Sequence, residues 1–352
     1  MGLPQINIVF RSLATSAITR SARGIATLII KDETATEKTY NFKKFVDVPK
    51  ETFTTKNYDL IKLAFLGNPS KLIVEVINET NKRTINTVLK DLEVKKLNYL
   101  AYPQAEEADN TLIQTWIVSC RKEGKKFKAV LANIDSDEEG VINFTTTGMQ
   151  SGTESYTTAE YCARLAGIFA GLPLTRSATY FVLNELDSIV EHDDPNTDID
   201  NGQLILTNDG EKIKIARGVN SLTTTPAPKS DDFKKIKLVE AMDIMYEDVK
   251  KTFEDEYIGQ VLNSYDNKVI FLTSINAYFK QLSKEGVLDP NYNNLAEIDV
   301  EANELYLQSK GINTDTMTEQ QIKEANTGSF VFFKANVKLL DAMEDFDFNI
   351  YI

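Results

Sequence analysis

The chain has little of what enzymes and metal proteins rely on. Its 352 residues hold one histidine, one tryptophan and two cysteines. A single imidazole, His192, excludes a site built from several histidines. A Ser-His-Asp triad would have to recruit it from the acidic stretch Glu191 to Asn201, which reads as a solvent-exposed loop. No Gly-x-Gly-x-x-Gly follows a strand and there is no Walker loop. A Gly-x-Ser-x-Gly elbow is also missing. Asn196-x-Asp198-x-Asp200 starts like a calcium loop, but Asn201 and Thr207 stand where that loop needs Gly and Glu. A turn rich in Asp and Asn is the expectation there. Among 52 acidic residues, nothing singles out one pair as a hydrolytic dyad. No catalytic residue, metal site or cofactor is expected.

Positive charge is also scarce. Thirty-nine Lys and Arg face 52 Asp and Glu, a formal net charge of −13. Direct nucleic-acid binding normally needs a basic face. The densest basic cluster, Arg121 to Lys128 (RKEGKKFK), reads as a helix end and a turn. No apolar run is long enough to cross a bilayer. Ile6 to Phe10 is too short for a secretory h-region and has no basic n-region before it. Ile6 also breaks the myristoylation pattern. Cys120 and Cys162 lie far apart in apolar, helix-like surroundings, and buried reduced thiols are the expectation.

What the chain does have is the makings of a sizeable core: 42% hydrophobic and 26% charged residues, as in a soluble globular protein. From Ile25 strands and helices alternate. Ile25 to Ile30, Leu72 to Ile77, Asn98 to Ala101 and Phe127 to Leu131 read as strands. Thr52 to Leu66, Thr84 to Leu92 and Ala108 to Arg121 have helical spacing, and Gly67-Asn68-Pro69 stops the first. This alternation predicts an α/β fold, with a mostly parallel sheet covered on both faces. Thr157 to Gly171 is a helix of small and apolar residues. Leu204 to Leu206 and Lys212 to Ala216 form a hairpin around Asn208-Asp209-Gly210. Asn220 to Pro228 reads as a Thr and Pro linker.

Asp232 to Tyr257 and Ser264 to Lys284 are long amphipathic helices. Glu297 to Leu307 reads as one or two strands, and Thr318 to Ala325 as a short helix. Phe330 to Leu339 and Phe346 to Ile352 read as closing strands. No fixed-period repeat is present.

The two ends stand out. Gln5 to Phe10 alternates polar and apolar residues, with Ile6, Ile8 and Phe10 on one face. At the other end Phe346, Phe348, Ile350 and Ile352 share a face. No Lys, Pro or bulge blunts this edge. Such a strand either closes its own sheet or docks onto a partner's sheet.

Several stretches resemble the contractile tail sheath proteins of myophages and of R-type, phage-tail-like bacteriocins. Tyr156 to Tyr180 (YTTAEYCARLAGIFAGLPLTRSATY) is similar to that family's central helix and following turn. Ala216 to Thr224 (ARGVNSLTT) resembles its signature after the hairpin, and Val337 to Asp345 (VKLLDAMED) its C-terminal end. Leu3 to Phe10 (LPQINIVF) fits the Gram-positive form. The resemblance implies a structural subunit rather than an enzyme. It implies rings, six-fold in this family, stacked around an inner tube and joined by N- and C-terminal arms that complete β-sheets in neighbouring subunits. Contraction would release a metastable packing. The partners implied are further copies of the chain, the tube protein, and baseplate and tail terminator proteins. No direct nucleic acid and no membrane insertion are implied, and assembly would take place in the bacterial cytoplasm. The implied partition is an arm over 1–23, an outer α/β domain over 24–150, a central segment over 151–228, a C-terminal domain over 229–340 sharing a core with that segment, and an arm over 341–352. Two other readings stay open: a cytoplasmic α/β enzyme binding a nucleotide or sugar, and a non-contractile scaffold.

Overall fold

The computed structural model describes Ile18, residues 23–80 and residues 82–351. Ile6, Ile8, Phe10 and Ile352 lie outside the described residues. The described chain divides into two bodies, residues 23–244 with 341–351, and Met245–Leu340.

The first body runs β1 (Ile25–Lys31), β2 (Thr39–Phe42), α1 (Thr55–Phe65), β3 (Lys71–Ile77), α2 (Ile85–Leu92), β4 (Tyr99–Ala101), α3 (Glu107–Lys122), β5 (Lys128–Ala132), β6 (Val141–Phe144), β7 (Thr147–Ser151), β8 (Glu154–Tyr156), α4 (Thr158–Gly171), β9 (Ser188–Val190), α5 (Pro195–Asp200), β10 (Gln203–Leu204), β11 (Leu206–Asn208) and β12 (Ile213–Ile215). Its main sheet has the order β10-β6-β5-β4-β1-β3-β2. Every pairing is parallel except that of β2, the antiparallel edge. The expected α/β architecture is therefore observed.

The central strands are apolar along their whole length because both faces are covered. On β1, Ala26, Leu28 and Ile30 point into a core shared with α1 and α4. Ile25 and Ile29 point into the opposite core, with α2 and α3. The period-2 alternation of a strand thus serves two apolar layers rather than one apolar and one wet face.

Helix α4 starts at a reciprocal cap. Glu160 N donates to Thr157 Oγ1 at 3.2 Å, and Thr157 N donates to Glu160 Oε2 at 2.9 Å. The helix is apolar nearly all round, which is the pattern of a buried helix. Its glycines set how closely it docks. A Cβ on Gly167 would lie 2.0 Å from the Ala64 carbonyl oxygen, and one on Gly171 would lie 1.8 Å from that of Gly67. Backbone thus meets backbone where α4 crosses the end of α1.

Behind β4 and β5 lies a buried ionic cluster. Lys128, 3% exposed, places Nζ 2.9 Å from Glu240 Oε2 and 2.9 Å from Asp243 Oδ2. Arg121 clamps Asp243 bidentately at 2.8 and 3.0 Å, and Tyr99 Oη donates to Glu240 at 2.8 Å. The expected helix end and turn at Arg121 to Lys128 are present, but two of these cations face inward.

The second body holds most of α6 (Ile236–Glu256), then α7 (Tyr265–Lys284), β13 (Leu295–Ile298), α8 (Val300–Ser309), α9 (Glu319–Glu324) and β14 (Phe333–Asn336). β13 and β14 form a two-stranded antiparallel ribbon, Ile298 opposite Phe333. Aromatic side chains fill the space beside it, with Tyr257 and Phe271 centroids 4.3 Å apart and Phe271 and Phe333 5.8 Å apart.

Some expectations change. Glu297 to Leu307 is mostly helix: Asp299 caps α8 by accepting from Ala302 N at 3.1 Å, and good helix formers follow. Of Phe330 to Leu339 only β14 is strand. Asn220 to Pro228 does not separate the bodies. Asp137 ties Thr223 and Thr224 to the main sheet's loops through their backbone N–H groups, at 2.7 and 2.9 Å. Contacts likewise do not divide at residue 150, since α4 packs on β1, β4 and β5. His192 is not a free loop residue. It bonds to Asp198 at 2.7 Å and Thr146 at 3.1 Å, and Asn196 to Asp200 belongs to the short helix α5 rather than a turn. Both thiols are free and buried.

Candidate subunit interface

The C-terminal segment has a fixed root and a bare end. At the root, Lys235 pairs with Asp341, and Arg217 with Asp345. Thr179 Oγ1 donates to Glu344 Oε1 at 2.8 Å, and Arg217 Nε lies 3.8 Å from Glu344 Oε2. The hydrogen bond to Asp341 raises the pKa of Lys235 above its ordinary value, against the opposing effect of burial. Thr179 is itself placed by Gly218 N, which donates to its Oγ1 at 3.0 Å. Three acidic side chains in five residues thus grip two basic ones on the first body.

Past Asp345 the described residues form neither helix nor strand and pair with no other strand. Phe346 is 89% exposed, Phe348 67% and Ile350 71%. The two Phe rings stack at 5.8 Å, their one ring contact among the described residues. Isolated exposed apolar residues are ordinary, but a run of them on one strand face marks an interaction site. The alternative that this strand closes its own sheet does not hold for residues 346–351. Phe346 and Phe348 come together as a ring pair, and Ile350 is exposed in the same segment. Sequence reasoning missed the root; its signal was the clustered acids Asp341, Glu344 and Asp345 directly before the apolar alternation.

A second open element is the β13–β14 ribbon. A lone two-stranded ribbon is marginal by itself, and neither strand has another neighbour among the described residues. Lys334 and Glu297 pair across it at 3.5 Å.

The other place to look for function is the carboxyl edge of the main sheet. The order β3-β1-β4-β5-β6 puts a topological switch between β1 and β4, the usual ligand crevice of such sheets. Here the chain's own groups knit that crevice. Asp32 Oδ2 accepts from Thr54 N at 2.8 Å and Asn57 Nδ2 at 2.8 Å, and Oδ1 from Thr34 N at 2.8 Å. Gln104 Nε2 reaches Asn57 Oδ1 at 2.5 Å. Burial alone would raise the Asp32 pKa, but these donors outweigh it and hold the carboxyl below its ordinary value. No group of three or more His, Cys, Asp or Glu arranged to hold a metal occurs among the described residues.

Comparison with known proteins agrees with this emphasis on assembly. Residues 79–221 match the family described as the phage tail sheath protein central domain, and residues 228–352 match the phage tail sheath C-terminal domain. The chain is 41% identical over 360 residues to the tail sheath protein of Clostridium phage phiCD119, covering 99% of each. It belongs to the phage tail sheath protein family. The sheath fold is equally clear in solved structures. A sheath tail protein from Desulfitobacterium hafniense superposes with a TM-score of 0.71 at 15% identity, over 84% of this chain and 94% of that one. The helical sheath of the anti-feeding prophage, in its contracted state, gives 0.73 at 13% identity, over 100% of this chain and 99% of that one. As a tail sheath protein this chain is a structural subunit.

Proposed function

We propose that the chain assembles as stacked six-fold rings around an inner tube, and that exchanged terminal arms link the rings while the bodies reorient during contraction. The observation that carries this reading is the pair of features at the C-terminus: an ion-paired root and an exposed apolar strand after it. In a protein that forms sheaths, such a strand finds its hydrogen-bonding partners in another copy. Burying Phe346, Phe348 and Ile350 contributes about 1.5–3 kcal/mol each. Much of that offsets association entropy, so one arm is a weak link and a mesh of arms a strong one. The N-terminal alternation of Ile6, Ile8 and Phe10 supports a second arm of the same kind. The tube, baseplate and terminator proteins are the further partners, and assembly takes place in the bacterial cytoplasm before the sheath becomes part of a tail or tail-like particle. Residues 229–340 serve as the inner domain that receives arms, and 24–150 as outer decoration.

Negative-stain electron microscopy of the purified chain tests this. Rings or tubes with a hollow lumen are expected. A compact small oligomer that never forms tubes, with a thermal shift on adding a nucleotide or sugar, would favour the enzyme reading; filaments without a lumen would favour the scaffold.

A further inference from the structure

The second body carries an amine in an unusual setting. Lys268 is 4% exposed and lies in the lining of an apolar groove of about 650 Å³. Phe253, Tyr257, Phe271 and Phe333 form the groove's aromatic walls. Among the described residues Lys268 Nζ makes no ion pair, and its one hydrogen bond is donated to Thr327 Oγ1 at 3.2 Å. That hydroxyl gives its own proton to the Phe330 carbonyl at 2.6 Å and also accepts from Asn263 Nδ2 at 3.3 Å. Asn263 Oδ1, close by, is buried with no donor among the described residues. Lys268 also sits in the first turn of α7, which Ser264 caps. A helix N-terminus is the positive end of the helix dipole and disfavours a cation. Burial pushes the Lys268 pKa down, with no charged group of α6, α7 or residues 326–333 acting for or against it.

Apolar walls, a positive helix end and the lack of a carboxylate all favour the neutral amine over the ammonium. An ordinary lysine is neutral in about 1 part in 2,500 at pH 7, and that share grows about tenfold for each pH unit by which its pKa falls. A lysine desolvated in an apolar pocket is an activated nucleophile. A neutral Nζ that donates one N–H to Thr327 keeps its lone pair, and the groove is the open space beside it. The aromatic walls favour a partner with a flat, apolar body.

We propose that Lys268 is a carbonyl-reactive amine and that the groove takes a small aromatic aldehyde, held as a Schiff base at Nζ. The Nζ lone pair attacks the carbonyl carbon, and one N–H proton moves to the carbonyl oxygen to give a carbinolamine. Asn263 Oδ1 is an acceptor for the hydroxyl so formed. The second N–H proton then leaves with that hydroxyl as one molecule of water, and a C=N bond remains. Nothing is oxidised or reduced, hydrolysis reverses the step, and no second copy of the chain is required.

The test incubates the full-length chain, below its assembly concentration, with benzaldehyde and cyanoborohydride at pH 7. Cyanoborohydride reduces the imine and fixes the label, and peptide mass spectrometry maps the modified lysines. Lys268 should label at least about tenfold faster than any other lysine, in line with its larger neutral share. That lead should shrink towards pH 10, as the exposed lysines lose their protons. Glyceraldehyde, a polar aldehyde with no ring, should show no such preference for Lys268. Lys268→Met should lose the fast label and keep a thermal midpoint no lower than wild type, because an unpaired buried amine is replaced by an apolar chain. Lys268→Arg, which stays charged, should lower the midpoint. Labelling of Lys268 no faster than that of exposed lysines at pH 7 overturns the proposal. So does a Lys268→Arg chain as stable as wild type, since the site would then hold a cation without cost. Equal preference for Lys268 with benzaldehyde and glyceraldehyde overturns the assignment of the groove to an aromatic partner.

Discussion

Replacing Lys128 by Met should destabilise the first body by about 3–5 kcal/mol, the cost of leaving buried carboxylates without their cation. Lys128 holds both Glu240 and Asp243 at 2.9 Å. After the change Asp243 keeps Arg121, but among the described residues Glu240 keeps only the Tyr99 hydroxyl. The lone tryptophan makes the assay local. Trp116 stacks on Phe127 at 5.6 Å, one residue from Lys128, so its fluorescence reports urea unfolding of this region. With an m-value of about 2–3 kcal/mol per molar, the midpoint should fall by about 1–2 M. The double variant Lys128→Met/Glu240→Gln should recover part of the loss, because the orphaned charge is gone. The pH dependence has a definite sign. Burial would raise the pKa of Asp243, but Lys128 and Arg121 outweigh it and hold it below the ordinary range. Its contribution is therefore present above the unfolded value and is lost as pH falls through the depressed one. Burial would lower Lys128, but Asp243 and Glu240 outweigh it and raise it. That contribution is present below the unfolded value and is lost as pH rises through the raised one. A single variant within 1 kcal/mol of wild type, or a double variant as unstable as the single, would refute the reasoning.

Gly167→Ala should cost about 3 kcal/mol or more, because its Cβ would lie 2.0 Å from a backbone oxygen of α1; an unchanged urea midpoint would show that α4 can shift at little cost. Arg217→Ala/Lys235→Ala should free the arm's root and raise proteolytic cleavage within 341–345 by a few-fold, since exposed ion pairs contribute only about 0.2–1 kcal/mol each. Raised salt should have the same effect on the wild-type chain, and cleavage that ignores both salt and the substitutions would show that the ion pairs do not hold the root.

Strands β1, β3, β4 and β5 were legible because they are continuous apolar runs bounded by caps and breakers, whereas the short β2 and β6 were not read and Leu204 was assigned to the hairpin rather than to the sheet edge. Thr84 and Ser264 cap α2 and α7 where expected. Glu297 to Leu307 misled because the β-branched Ile298 and Val300 suit a strand, and the deciding cap at Asp299 is a single residue. The arm's apolar face was visible from its period, whereas its root was not. Arg217 and Lys235 lie more than a hundred residues from the acids they hold, and only the fold brings them together. The same holds for Lys128, whose basic neighbours Lys125 and Lys126 hide an inward-facing charge.

A sheath joined by its arms requires residues 346–351 to link one copy to another. Removing Phe346 to Ile352 and imaging the purified chain by negative stain tests that directly. A folded, monomeric chain with wild-type Trp116 fluorescence and no tubes is the predicted result. Tubes of wild-type diameter formed by the truncated chain would contradict it.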